Sequence, residues 1–399
     1  MVKVLHIGKY FPPHHGGMET FLRDLMVEQK KQGHETAAIV HTSQQSFRSE
    51  EQQLTIHGQT IKVLRVARWF TASFAPISPI FPIHLAKTVK QQQPDVLHLH
   101  MPNLSAFWCL LLPACRKIPW VIQWQSDVVP SKHRLSLRLL ARLYRIPERL
   151  LLQKAAVIIA SSHNYLESSP TLANWQAKSH VIPLAISPPP SAATTIASQV
   201  ESPRPETPPD MAKLRVLTVG RLTYYKGHRV MVEAMAQAPH CHLTIVGDGE
   251  EKRSIVQLIE RLQLGKRVTL IDKCSDADLE AQFAGADLFC LASVERTESF
   301  GLVLLEAMAR GVPCVVSQVD GSGMTWITDE GRSGFMVPPG NPAALATLLE
   351  ELAKNRDKID ACKEVMTGWY RHTFSLKACC DRISDLYREV LNASTTRKR

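Results

Sequence analysis

The stretch Glu298-Ser299-Phe300-Gly301-Leu302-Val303-Leu304-Leu305-Glu306-Ala307-Met308 sets two carboxylates, with seven residues between them, across the start of an apolar helix. Phe300, Leu302, Val303, Leu305 and Met308 read as the buried side of that helix. Glu306 among them needs a hydrogen-bonding partner to offset its desolvation, and a bound ligand is one such partner. If both carboxylates are helical, they differ by roughly 12 Å along the axis at ~1.5 Å per residue. The helix N-terminus between them offers free N–H groups to an anion.

Outward from that stretch, short β-rich runs alternate with helical ones, the pattern of parallel sheets built from βαβ units. One series of expected strands runs through Leu214–Gly220, His242–Gly247, Arg267–Ile271, Leu288–Ala292 and Pro313–Ser317. An earlier series runs through Lys3–Gly8, Glu35–His41, Asp95–His100, Trp120–Gln125 and Ala156–Ser161, with Thr55–Val66 reading as an inserted hairpin turning near His57-Gly58-Gln59. The expected division is a first Rossmann-like domain over 1–186, a Pro-rich linker over 187–212 and a second Rossmann-like domain over 213–365. Residues 366–391 read as helical, and 392–399 as a basic tail.

With 399 residues, 45% of them hydrophobic, the chain is long enough for two cores. Its N-terminus reads as a first strand without a signal peptide's apolar core, and no later run approaches the ~18 apolar residues of a membrane span. A cytoplasmic location is expected. Nine scattered cysteines fit reduced thiols, and adjacent Cys379 and Cys380 diverge on an expected helix. The net charge of +10 asks for an anionic partner. Much of it lies in residues 131–154, SKHRLSLRLLARLYRIPERLLLQK, where Arg134, Arg138, Arg142, Arg145 and Arg149 recur at helical spacing among leucines. This basic amphipathic helix, interrupted or kinked near Pro147, is either a solvated face or a contact for anionic lipid on the cytoplasmic face of the inner membrane. A nucleic-acid partner is not expected, since aromatic residues are not interleaved with the basic ones apart from Tyr144.

Three turns carry candidate chemistry. Gly220-Arg221-Leu222-Thr223-Tyr224-Tyr225-Lys226-Gly227 puts two cations at a strand-to-helix turn, where open α/β sheets bind ligands. Gly247-Asp248-Gly249-Glu250 ends the next strand in a tight turn. Gly16 and Gly17, joining the first strand to its helix, let backbone approach a phosphate; no G-x-G-x-x-G spacing accompanies them. No metal site is expected: there is no Asp-x-Asp pair except Asp276-Ala277-Asp278 at a helix cap, and no His/Cys cluster at ligand spacing.

In this order, the GGMET loop, GRLTYYKG, GDG, ESFGLVLLEAMARGVP and GRSGFMVPPGNP resemble glycosyltransferase family 4 (group 1 type), retaining enzymes with the GT-B fold. The resemblance spans nearly the whole chain and is stronger in the second half. It implies that Arg221 and Lys226 bind the donor diphosphate beside Gly220, and that Glu306 holds the ribose. Glu298, with backbone of Phe300, Gly301 and Leu302, then contacts the donor sugar; Arg221, Lys226 and Glu298 are the catalytic candidates. The resemblance also implies that Gly16 and Gly17 approach the donor phosphate across an interdomain cleft and that the helices over 366–391 pack back on the first domain. The roughly 12 Å between the carboxylates is comparable to the sugar-to-ribose reach of an extended nucleotide sugar.

Where many relatives carry a histidine, this chain has Gln123-Trp124-Gln125-Ser126-Asp127, which makes Gln125 and Asp127 the acceptor-side candidates. Ala185, Ser187 and Asp272 also depart from the pattern, standing where glycine, aspartate and glycine are usual. The implied reaction moves a hexose of mannose or glucose type from a GDP- or UDP-linked donor to a glycan or lipid-linked glycan of a surface polysaccharide or lipopolysaccharide, without cofactor or metal. A competing reading is a non-catalytic GT-B scaffold that binds membrane or a partner glycosyltransferase; both cations and both glutamates argue against it. An epimerase or a phosphorylase on a related fold is a third.

Overall fold

The computed structural model describes residues 1–14, 16–72, 75–128, 135–187, 213–272, 274–329 and 333–396, with backbone alone for 135–141 and 395–396. The expected linker, apart from Ser187, and residues 397–399 of the expected tail lie outside the described residues, as does Arg134. The chain divides into two units, Met1–Ile186 with Ser375–Arg399, and Ser187–Phe374.

The first unit is built on ten strands: β1 (Lys3–Ile7), β2 (Glu35–His41), β3 (Glu50–Ile56), β4 (Gln59–Val66), β5 (Phe70–Ala72), β6 (Ala75–Ile77), β7 (Val96–Met101), β8 (Trp120–Trp124), β9 (Val157–Ala160) and β10 (Ser179–Val181). All but β5 and β6 form one sheet in the order β10-β9-β8-β7-β1-β2-β4-β3. Its pairs are parallel except β3 with β4, so β4 extends the parallel sheet beside β2 and the inserted hairpin is part of it. The hairpin turns on His57 (φ 47°) and Gly58 (φ 74°), the two positive φ angles that a tight two-residue turn between twisted strands requires. Strands covered on both faces read as continuous apolar runs: β7, β8 and β9 are buried throughout, and Leu97, Leu99, Trp120, Ile122 and Ile158 share the core with Leu5 and Ile7.

The C-terminal helix Leu376–Thr396 packs in this unit against the helix Gly17–Lys31. Ile383 and Tyr387 are buried, and polar side chains fix the seam: Gln32 Nε2 to Asp381 Oδ1 at 2.8 Å, and Gln29 Nε2 to Tyr387 Oη at 3.0 Å.

The second unit holds β11 (Leu214–Val219), β12 (Cys241–Val246), β13 (Val268–Ile271), β14 (Leu288–Leu291), β15 (Cys314–Ser317) and β16 (Gly334–Val337), all parallel, in the order β13-β12-β11-β14-β15-β16. The sequence reading omits β16, a four-residue edge strand opening on glycine. Helices His228–Gln237 and Pro342–Lys354 bury Met231, Val232, Leu345 and Leu349 against Leu214, Val216 and Leu243. Asn341 caps the latter helix by accepting from Ala344 N at 3.0 Å, and Ser275 with Asp278 forms a capping box on Asp276–Gly285, the helix start expected there. The helix Arg356–Thr373 stays with this unit, so the return to the first begins at Ser375. All nine cysteines are free. No helix among the described residues is long and apolar enough to cross a membrane.

Candidate active site

Order at the end of β11 rests on two glycines. A Cβ on Gly220 (φ 152°) would meet the Lys226 side chain at 3.2–3.3 Å, and one on Gly227 (φ 71°) would meet the Ala292 carbonyl oxygen at 1.8 Å. The turn therefore folds tightly enough to bring Lys226 back over the strand end. There Lys226 Nζ donates to Glu298 Oε2 at 2.8 Å. Burial pushes the lysine pKa down, but the charge and hydrogen bond of Glu298, with Tyr225 and Glu306 adding, outweigh it, so Lys226 is held firmly cationic. Beside it, burial and the Lys226 charge lower His228 to about 4, a neutral imidazole at physiological pH.

Arg221 stands apart from this pair. Its guanidinium meets Glu250 at 3.2 Å, with both side chains more than half exposed. One cation of the turn is thus fixed and desolvated, the other exposed in a solvent-facing ion pair.

The glutamate stretch corrects its sequence reading. Gly301 (φ 83°) caps a helix that spans only Leu302–Ala309, so Glu306 is helical and Glu298 lies in the preceding turn. The axial separation of roughly 12 Å therefore does not apply to the pair. That turn is pinned by Ser322 Oγ donating to the Glu298 carbonyl at 2.6 Å and by Gly323 N donating to that of Ser299 at 2.8 Å. Phe300, Leu304, Leu305 and Met308 are buried as a core face, whereas Leu302, Val303 and Glu306 are only half-buried along one stripe. The helix is apolar all round, which leaves periodicity nothing to phase it by.

In the first unit, Gly16 and Gly17 are exposed and open the helix Gly17–Lys31. Gly16 is extended, and a Cβ there would meet Glu19 Oε2 at 2.2 Å, since Glu19 folds back beneath it. Burial raises the Glu19 pKa, opposed by its own backbone N–H and by Lys9; burial lowers Lys9, opposed by Glu19. The buried Glu19 beneath the glycine turn, and the half-buried Lys9 whose charge acts on it, escaped the sequence reading.

Of the acceptor-side candidates, Gln125 is buried at the end of β8 and its Nε2 has no partner among the described residues. Asp127 instead braces the chain: its Oδ1 accepts from Trp124 Nε1 at 3.0 Å and from Ser169 Oγ at 2.8 Å. Beside it, on the inward face of the helix Leu135–Lys154, is Glu148, 4% exposed. Burial and the Asp127 charge raise its carboxyl to about 7, with Arg145 pulling the other way. The basic character of that helix hid this inward acid from the sequence reading.

Among the described residues one group could hold a metal ion: His6, His98 and His100, each offering a ring nitrogen within 4.8 Å of the others. The sequence reading found no such cluster, because β1 and β7 become neighbours only in the sheet. His6 bonds Gln29 Oε1 at 2.8 Å and His100 Nε2 at 3.1 Å, and His98 Nδ1 bonds Tyr387 Oη at 2.6 Å, whereas His98 Nε2 and His100 Nδ1 have no hydrogen-bond partner among the described residues. Burial holds all three pKa values down, so the rings are neutral and serve as a hydrogen-bonded tie to the C-terminal helix.

Two open parallel sheets with strand-end turns of this kind make the chain a GT-B protein, and solved structures of that class share its fold. Sucrose-phosphate synthase from Thermosynechococcus elongatus superposes with a TM-score of 0.77 at 20% identity, covering 98% of this chain and 100% of that one. Anabaena HepE, solved in complex with UDP and glucose, gives 0.70 at 18% identity with coverages of 98% and 100%. Family models match in both halves: Glycosyl transferase 4-like domain over residues 16–185 and Glycosyl transferases group 1 over residues 199–367. The chain belongs to the group 1, family 4-like glycosyltransferases. Curated relatives include O-antigen chain mannosyltransferase C of Escherichia coli, 26% identical over 99% of this chain and 100% of that protein. The D-rhamnosyltransferase WbpZ of Pseudomonas aeruginosa is 27% identical over 70% of each.

Proposed function

We propose that this glycosyltransferase moves a hexose of mannose or glucose type from a nucleoside diphosphate sugar to a glycan or lipid-linked glycan, with retention at the anomeric carbon. The observation that carries the reading is the desolvated Lys226–Glu298 pair, with the exposed Arg221 on the same turn as Lys226. A lysine held charged in a site with little water stabilises a departing diphosphate far better than one in solvent. Glu298, already fixed by that lysine, presents its carboxylate to donor sugar hydroxyls, and Glu306 on the open stripe of its helix takes the ribose. No nucleophile is evident. In the front-face route the leaving phosphate oxygen accepts the acceptor proton, and Arg221 and Lys226 meet its developing charge without a metal.

The O-antigen named for the Escherichia coli relative supports a role in surface polysaccharide assembly, and we place the acceptor on a cytoplasmic membrane face as part of the same proposal. A peripheral attachment fits the helix Leu135–Lys154, where Leu143, Ile146 and Leu150 are 56%, 62% and 49% exposed beside exposed Arg142, Arg145 and Arg149. Thermal shifts against GDP-mannose, UDP-glucose and UDP-galactose, followed by transfer assays with the stabilising donor, test the reading. Stabilisation by one donor and transfer that survives excess EDTA are expected. No shift with any nucleotide sugar refutes donor binding, and activity lost to EDTA and restored by magnesium refutes the metal-free route.

A further inference from the structure

We propose that Arg65, on β4, is a positioning residue for the transfer reaction: it fastens the loop that carries Gly16 and Gly17. The inference rests on the glycosyltransferase reading. Its origin is a shortage of donors in the sequence Phe11-Pro12-Pro13, where two successive residues have no backbone N–H and cannot tie the loop to its surroundings. The carbonyls of this segment remain to be satisfied. Arg65 supplies what the prolines lack, donating from Nη1 to the Phe11 carbonyl at 3.2 Å and from Nη2 to that of Pro12. Its Nε donates to Gln52 Oε1 at 2.9 Å, on the partner strand β3, and the guanidinium lies 5.7 Å from the Phe11 ring centroid.

The fork is rigid and almost fully buried, at 7% exposure. A planar guanidinium bonded on three sides fixes both distance and direction, which a lysine's single ammonium cannot reproduce. Other ties are local to the segment: His14 N donates to the Phe11 carbonyl at 3.2 Å, Thr20 N donates to the Gly16 carbonyl at 3.0 Å, and the His14 ring lies tilted against Tyr10 with centroids 4.1 Å apart. The β3–β4 hairpin thereby acquires a purpose, since it adds to the sheet the strand that carries Arg65 and backs it with Gln52. The residues proposed for the nucleotide, Lys226 and Glu306, belong to the second unit, so a loosened loop is expected to slow transfer far more than it weakens binding of the free nucleoside diphosphate.

The test uses the full chain with Arg65→Lys, Arg65→Gln and, as a variant that keeps the arginine, Gln52→Ala. Hydrogen exchange over residues 9–16 should quicken at least tenfold in Arg65→Gln and less in Gln52→Ala. Transfer kcat should fall at least tenfold in Arg65→Gln and be partly recovered in Arg65→Lys, while Kd for GDP and UDP by calorimetry stays within twofold of wild type. Unchanged exchange in the loop, or wild-type kcat in a folded Arg65→Gln protein, overturns the proposal. A parallel loss of nucleotide affinity also overturns it. Should wild type transfer nothing from any donor, the proposed transfer reaction fails, while the exchange arm still decides whether Arg65 holds the loop.

Discussion

Lys226 Nζ lies 2.8 Å from Glu298 Oε2, and each side chain is only 14% exposed. Removing one member of such a pair leaves the other charge buried and uncompensated, at a cost of up to about 3–5 kcal/mol. Lys226→Ala is therefore expected to lower the melting temperature as well as transfer. The double variant Lys226→Ala with Glu298→Gln should recover stability and stay inactive. Arg221→Ala, by contrast, breaks an exposed pair worth about 0–1 kcal/mol, so it should melt like wild type while losing ~2–4 kcal/mol of transition-state stabilisation. Thermal melts and kcat/KM on the three proteins check this; a double variant no more stable than Lys226→Ala would show that the pair is not what the fold depends on.

Glu306 and Glu298 separate by secondary structure, one on the open stripe of the helix Leu302–Ala309 and one in the turn ahead of it. Glu306→Gln should weaken binding of the nucleoside diphosphate, because an amide accepts from ribose hydroxyls less strongly than a carboxylate. Glu298→Gln should act mainly on the sugar step. Calorimetry with GDP and UDP distinguishes them, and equal losses of affinity in both variants would contradict the division of roles.

What sequence could and could not convey follows from which interactions are local. β7 and β8 were legible because a strand buried on both faces is an unbroken apolar run, and the Gly220–Gly227 turn because its glycines and cations lie within eight residues. The His6–His100 contact was not, since it depends on β7 pairing beside β1 across a span of over ninety residues. Nor was the meeting of Lys226 with Glu298, which requires the turn after β11 to lie beside the one after β14. The phase of the Leu302–Ala309 helix stayed hidden for the opposite reason: its composition is too uniformly apolar to mark a face.

Glu148 gives stability a pH dependence. Burial, reinforced by Asp127, raises its carboxyl from the ordinary 4.5 to about 7, so the folded state holds that proton more tightly than the unfolded chain does. The sign follows from linkage: the favourable contribution is fully present below about pH 4.5, declines as pH rises, and is lost above about 7, amounting to at most about 3 kcal/mol. Glu148→Gln, permanently neutral, removes this dependence. The variant's melting temperature relative to wild type should rise between pH 5 and pH 8; a constant difference across that range would show that Glu148 ionises normally in the folded protein.

The helix Leu135–Lys154 offers the last test. Leu143, Ile146 and Leu150 follow helical spacing of three and four, and Arg142, Arg145 and Arg149 repeat it one position earlier, so an exposed apolar stripe runs beside a basic one. On an anionic bilayer the arginines contribute about 1 kcal/mol each near the surface and the aliphatic side chains add shallow insertion. Such attachment is reversible and weakens as salt screens it. Changing the three arginines to glutamine should release the protein from vesicles containing anionic lipid, and Ile146→Ser with Leu150→Ser should weaken what binding survives at high salt. Neither change touches the residues assigned to donor binding, so transfer to a soluble acceptor should be kept. Flotation that recovers wild type and the glutamine variant equally at low and high salt would make this helix a solvated face of the first unit.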